Sequence, residues 1–253
     1  MRSCGSRRAE GSLRRTTLVL AIGLVCGGCG SEAPSQPSPP PPPPVSSFTV
    51  SSITDGDTLR FSPPLEGTSI LRLLDVDTAE TTQVPWGDLA RAELLRLAPP
   101  QTELRLETEQ MHIDPFGRLL AHAIRLDGLD VNKELLRLGQ AVLFVIWPNV
   151  GRFEEYRAAE IEAQAEGRGV WNPTNPLTEL PFEYRLRIDR DTPFRPVGDF
   201  FTRRYVEPSD YRRVDVNNRV FFNNPTDAAS AGYSPCPRTG TGDYNSTCFA
   251  PGR

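Results

Sequence analysis

Between residues 48 and 126 the chain reads as short runs of β-forming residues separated by turn chemistry. Residues 48–53 (FTVSSI) suit a strand, the Asp55-Gly56 pair supplies a turn, and 58–61 (TLRF) returns as the partner strand. Pro63, Pro64 and Gly67 break the pattern before 68–76, which is apolar enough for a buried strand. Two further strands are predicted over 104–112 and 119–126, on either side of a turn at 114–117 (DPFG). Helical spacing marks 89–97, ended by Pro99-Pro100. Val131, Leu135 and Leu138 recur at i, i+4 and i+7, an amphipathic helix closed by Gly139, and a last helix runs from about 150 to 166 and stops at Gly167 and Gly169.

Five strands, one helix between the third and fourth, and two helices afterwards predict an α+β, mainly β, chain: a closed five-stranded OB-fold barrel packed with three helices. The flanks read differently. Residues 1–29 have the form of an export signal, with Arg7, Arg8, Arg14 and Arg15 ahead of the apolar run 17–25. That run is too short for a bilayer-spanning helix of about 20 residues. It ends in Cys26-Gly27-Gly28-Cys29, which resembles a bacterial lipoprotein cleavage site and makes Cys29 the expected lipidated residue; ordinary cleavage and an uncleaved anchor are the alternatives. Residues 30–46, with six prolines at 39–44, read as a semi-rigid polyproline stalk, leaving 47–173 as the folded domain.

Residues 174–253 form a C-terminal extension, rich in Arg and Tyr, with strands expected at 182–188 and 219–222. Parts of it loosely resemble small metal-binding modules, but those need four thiolates or equivalent ligands, and only Cys236 and Cys248 remain. A disulfide between these two is the preferred reading. The central domain has no cysteine, so no Cys-based zinc site can sit there.

The formal charge of −4 hides an uneven distribution. Residues 48–173 carry 12 Arg and Lys against 20 Asp and Glu, a net of −8, and Lys133 is the chain's only lysine. Tight, sequence-independent binding of a duplex by counterion release needs a basic stripe, so it is disfavoured; short or single-stranded substrates gripped locally by arginines and a metal remain.

The chemistry lies in three segments: 55–58 (DGDT), 72–80 (RLLDVDTAE) and 114–118 (DPFGR). Clustered carboxylates offer hard oxygen ligands, suited to Ca²⁺ or Mg²⁺. Two arginines offer planar, permanently charged forks that match phosphate oxygens. A carboxylate three residues beyond a metal ligand is placed to take a proton from a metal-adjacent water. In-line displacement at phosphorus needs those three parts. Each segment alone is ordinary turn or strand chemistry.

Together, in this order, they resemble the staphylococcal nuclease (thermonuclease) family, and the likeness extends to 129–141 (LDVNKELLRLGQA) and 159–171 (AEIEAQAEGRGVW), helical segments without catalytic groups. The resemblance implies a Ca²⁺-dependent endonuclease acting on DNA and RNA and leaving 3′-phosphate ends. It implies Asp57 and Asp77 as Ca²⁺ ligands with the Thr78 carbonyl, Asp55 in support, Glu80 as the base, and Arg72 and Arg118 as the groups that stabilise the phosphoryl transition state. This sequence departs from the family at Ala79, where proline is common, and at Pro115 and Phe116, where a Lys-Tyr pair is usual. Phe116 and Trp147 are the candidate substrate-binding aromatics, Trp147 by stacking on a base or, equally, as a rim aromatic. His112 and His122, the only histidines, read as structural. The expected protein is a monomer, exported and held to a membrane by Cys29 or secreted. A barrel that binds nucleic acid or protein without catalysis, and a structural envelope lipoprotein, are the competing readings.

Overall fold

A computed structural model describes residues 47–189 and 193–251, all within one compact unit. The expected leader at 1–29 and the stalk at 30–46 lie outside the described residues. Five strands close a barrel in the order β1, β2, β3, β6, β5: β1 (Phe48–Ile53), β2 (Thr58–Leu65), β3 (Thr68–Leu73), β5 (Glu103–Glu107) and β6 (Leu119–Arg125). The short β4 (Val76–Thr78) leaves the barrel and pairs with β7 (Ala141–Leu143). Alternation puts Val50, Leu59, Phe61, Leu71, Leu73, Leu104, Leu119, Ala121 and Ala123 inside. A register shift between Val50 and Ser52 changes the parity of β1, so Ile53 points inward along with Phe48 and Val50. The chain is therefore an OB-fold barrel with helices, as the order of elements predicts.

Helix α1 (Trp86–Leu97) caps one side, buried through Trp86, Ala90, Leu94 and Leu97. Helix α2 (Val131–Arg137) starts at Asp130, whose side chain accepts from the Lys133 N–H, and ends before Gly139 at φ 66°. Helix α3 (Phe153–Ala165) follows and stops at Gly167, also left-handed. Three differences from the sequence reading have physical causes. β2 continues through Pro63 and Pro64, because residues 62–64 are exposed and the β2–β3 register shifts between Arg60 and Leu65, where no ladder donor is required. The run 68–76 is two strands, split by a turn with Asp75 at φ 62°. β5 ends at Glu107, so His112 lies in a loop, bonded to Glu66 at 2.8 Å.

The C-terminal extension builds onto the barrel domain. It adds α4 (Pro181–Ile188), β9 (Val197–Asp199), β10 (Arg204–Val206), β11 (Arg219–Phe221), α5 (Pro225–Ser230) and β12 (Ser234–Pro235). β11 runs parallel to β8 (Val145–Ile146), which joins the two parts in one five-stranded sheet. The expected strand at 182–188 is instead helix α4: Pro181 sets a helical start, and Phe182 and Arg185, three residues apart, share the face turned to the domain. The expected strand at 219–222 forms as β11. Cys236 and Cys248 are disulfide-bonded. Among the described residues no helix is long and apolar enough to cross a membrane.

Candidate active site

The turn between β1 and β2 brings the first acids into place. Thr54 and Asp55 N–H groups donate to the Thr58 carbonyl, and the Asp55 side chain accepts from the Asp57 N–H at 3.1 Å. Gly56 is required here: a Cβ would stand 2.5 Å from Thr78 Oγ1 and 2.7 Å from Ala90 Cβ. The Asp57 carboxylate is thereby pressed against β4, where Oδ2 accepts from both the Thr78 N–H (3.0 Å) and its hydroxyl (3.1 Å). Burial pushes the Asp55 carboxyl above its usual range, and the charge of Asp57 adds to the effect.

Arg72 pairs with Thr58 in the β2–β3 register, next to Asp57 in the chain. Its Nε lies 3.1 Å from Asp57 Oδ1, and one Nη lies 3.2 Å from Asp77 Oδ1. The other Nη donates to the Leu73 and Val76 carbonyls at 2.7 Å each, which fixes the guanidinium across the β3–β4 turn. Asp77 is 1% exposed. Burial raises its carboxyl, against the pull of Arg185 and Arg72.

Arg185, on α4, completes the constellation. It binds Asp77 through two bonds of 3.0 and 2.8 Å and reaches Glu80 Oε1 at 2.8 Å. Burial opposes its charge, but the Asp77 and Glu80 carboxylates outweigh that and raise its pKa. Asp57, Arg72, Asp77, Arg185 and Glu80 are thus one connected network, and Thr78 joins it through Asp57. Sequence reasoning missed Arg185. It lies outside the motif-bearing segments, in an Arg-rich stretch with nothing to distinguish it.

Arg118 stands apart from that network. In the parallel β3–β6 register Arg72 faces Leu120, so Arg118, two residues earlier, has the parity of Arg72. Its side chain is tied to Asp114 at 2.6 Å and lies over the Phe116 ring at 5.4 Å. Phe116 is 82% exposed at the tip of that turn. Trp147 follows β8, half-buried and packed against the main core.

The donor set fits a hard divalent cation. The candidate ligands are oxygens only, and the Asp57 and Asp77 carboxylates meet at one guanidinium, while Arg185 takes up Asp77 and Glu80 and so competes with a cation there.

Residues 70–173 match the family model described as "Staphylococcal nuclease homologue". Endonuclease YhcR of Bacillus subtilis (strain 168) is 34% identical over 196 residues, covering 73% of this chain and 16% of that protein. The SPbeta prophage-derived endonuclease YokF and endonuclease YncB of the same organism are each 30% identical over 141 residues, or 53% of this chain; those regions make up 47% and 65% of the two proteins. The chain therefore spans less than two thirds of each of these relatives.

Proposed function

Because the chain belongs to the staphylococcal nuclease family, we propose that it is a Ca²⁺-dependent endonuclease that hydrolyses the phosphodiester bonds of DNA or RNA. The observation that carries this reading is the single network joining Asp57, Arg72 and Asp77, and Glu80 through Arg185, held from three separate segments of the chain. Asp57 and Asp77, with the Thr78 carbonyl, would hold Ca²⁺, which would supply neutralisation of phosphate charge and make water easier to deprotonate. Asp55 stiffens the turn that presents Asp57. Glu80 is the base that takes the proton of the attacking water.

Arg72 stabilises the charge that builds on the phosphoryl oxygens, and its bonds to two main-chain carbonyls mean little reorganisation is needed in the transition state. Arg118, aimed by Asp114, supplies the second clamp from the turn that leads into β6. The net charge of −8 over 48–173 and the exposed Phe116 favour short or single-stranded substrates, on which an aromatic can stack. Export, with a lipid anchor on Cys29, belongs to the same proposal and rests on the leader's arginines, apolar run and cysteine.

The test uses the full chain, denatured DNA, and Ca²⁺ or EDTA. Cleavage is expected with Ca²⁺ only, and Glu80→Gln and Arg118→Ala are each expected to lower it by about 10²-fold or more. Absence of cleavage with every divalent ion would overturn the enzymatic reading. It would favour a non-catalytic binding barrel, the reading that Arg185 lodged between Asp77 and Glu80 supports.

A further inference from the structure

A second cluster, sharing no residue with the first, lies where the β3–β4 turn meets β6. Asp75, Glu109 and His122 each offer a ligand atom, and the three atoms lie within 4.8 Å of one another. His122 is 1% and Asp75 4% exposed, and neither Asp75 oxygen has a hydrogen-bond partner. A buried carboxylate with both oxygens unsatisfied is costly unless a charge compensates it.

The neighbours define what can face Asp75. Tyr156 donates its hydroxyl proton to Asp130 (2.9 and 3.0 Å), so its oxygen is left to accept from His122 Nδ1 at 2.8 Å. Nδ1 therefore carries the proton, and Nε2 is turned toward two carboxylates: Glu109 Oε1 at 2.9 Å and Asp75 Oδ2 at 3.9 Å. A lone pair on Nε2 facing two carboxylates is repulsive unless a positive species sits among them. Without metal, a proton on Nε2 serves Glu109, and Asp75 remains unpaired. Tyr156 and Asp130 behind the imidazole are the outer partners that orient a metal-binding histidine, and the Gly151 N–H does the same for the other Glu109 oxygen at 3.0 Å.

We propose that Asp75, Glu109 and His122 form a binding site for a first-row transition-metal dication such as Zn²⁺, separate from the Ca²⁺ site. One imidazole and two carboxylates suit Zn²⁺ better than Ca²⁺, which prefers oxygen throughout. A tetrahedral ion with bonds of about 2.0 Å needs ligand atoms about 3.3 Å apart, and the separations of 2.9 and 3.9 Å from Nε2 bracket that value. Glu109, 17% exposed at its side chain, provides the entry side. The metal replaces the Nε2 proton, which goes to solvent, and at the same time pairs Asp75.

The experiment uses the full chain with Cys4, Cys26 and Cys29 alkylated, stripped of metal, then given Zn²⁺ in the presence of excess Ca²⁺. One zinc per chain should survive gel filtration, as measured by elemental analysis, and the melting temperature should rise. Asp75→Leu should lose both the bound zinc and the zinc-induced shift, while its metal-free form melts no lower than the native sequence. Glu109→Gln, at the more exposed ligand, should weaken binding at least tenfold, which keeps the test intact should Asp75→Leu fold poorly. Asp57→Asn should keep its zinc, separating this site from the first. Absence of a retained zinc in the native sequence, or full retention in either ligand variant, overturns the proposal.

Discussion

Asp75 and Asp77 stand two residues apart, both almost wholly buried, and the molecule treats them in opposite ways. Asp77 faces two guanidinium groups, Arg72 and Arg185, within 3.2 Å. Asp75 faces a histidine at 3.9 Å and no donor at hydrogen-bond distance. The left-handed turn at Asp75 lets one short segment serve both sides: one carboxylate is delivered to the β2–β3 arginine and the other to the β6 histidine. Burial is thus common to the two acids, and what distinguishes them is the source of compensating charge. Where the chain supplies that charge itself, the buried acid is paired within the fold. Where it does not, burial pushes the Asp75 carboxyl well above its usual range, favouring the neutral form unless a bound cation compensates it.

The largest loss of stability should follow from removing the charge that the chain supplies to Asp57 and Asp77 together. Arg72→Met keeps the apolar stem but leaves two buried carboxylates without their shared partner. Breaking a buried pair by removing one member costs about 3–5 kcal/mol. Urea unfolding of the metal-free variant should show a loss in that range, and saturating Ca²⁺ should stabilise the variant by more than it stabilises the native sequence. An unchanged midpoint would mean that water already screens these acids, and the contrast with Asp75 would disappear.

A smaller effect is expected at Arg185, which competes with any cation for Asp77 and Glu80. Arg185→Met should bind Ca²⁺ about tenfold more tightly, a change of about 1.4 kcal/mol, measured by isothermal titration. Weaker Ca²⁺ binding would instead mean that Arg185 holds the acids in the geometry the ion needs, and that its role is to position rather than compete.

These two arginines also show what the sequence could and could not reveal. Arg72 was legible because the local DGDT and RLLDVDTAE segments carry the resemblance to the family. The barrel was legible for the same reason, since alternation and turn residues are local signals. Arg185 was not, because its partners lie 105 and 108 residues away and only tertiary packing of α4 brings them together. The helix itself was misread as a strand because its aromatic and branched residues suit either state, and the deciding feature, Pro181 at the first helical position, lies just before the run. His122 read as a structural histidine because neither Asp75, 47 positions earlier, nor Glu109 signals the meeting in any local pattern. The metal-ligand types are present in the sequence, but without a recognisable spacing.

A third buried acid sharpens the comparison, because its two oxygens are treated differently from each other. Glu160, on α3, accepts from the Leu143 N–H at 2.9 Å through one oxygen, and the other has no partner. Burial pushes its carboxyl up from 4.5 to about 8; the Leu143 N–H, Arg219 and Arg157 offset only part of that, and Asp215 opposes them. The folded protein therefore holds a proton that the unfolded chain releases, so the stability Glu160 contributes is full below pH 4.5 and is lost as pH rises through 8. Glu160→Gln keeps the acceptor for Leu143 but cannot ionise. The melting temperature of the variant minus that of the native sequence should climb between pH 4.5 and 8 and then level off, by an amount on the order of 5 kcal/mol, about 1.4 kcal/mol for each pH unit crossed, or roughly 10 °C or more. Asp75 and Asp77 are present in both proteins and cancel in that difference. A flat difference curve would mean that Glu160 is ionised in the folded state and compensated by Arg219 and Arg157, which would place it with Asp77 rather than with Asp75.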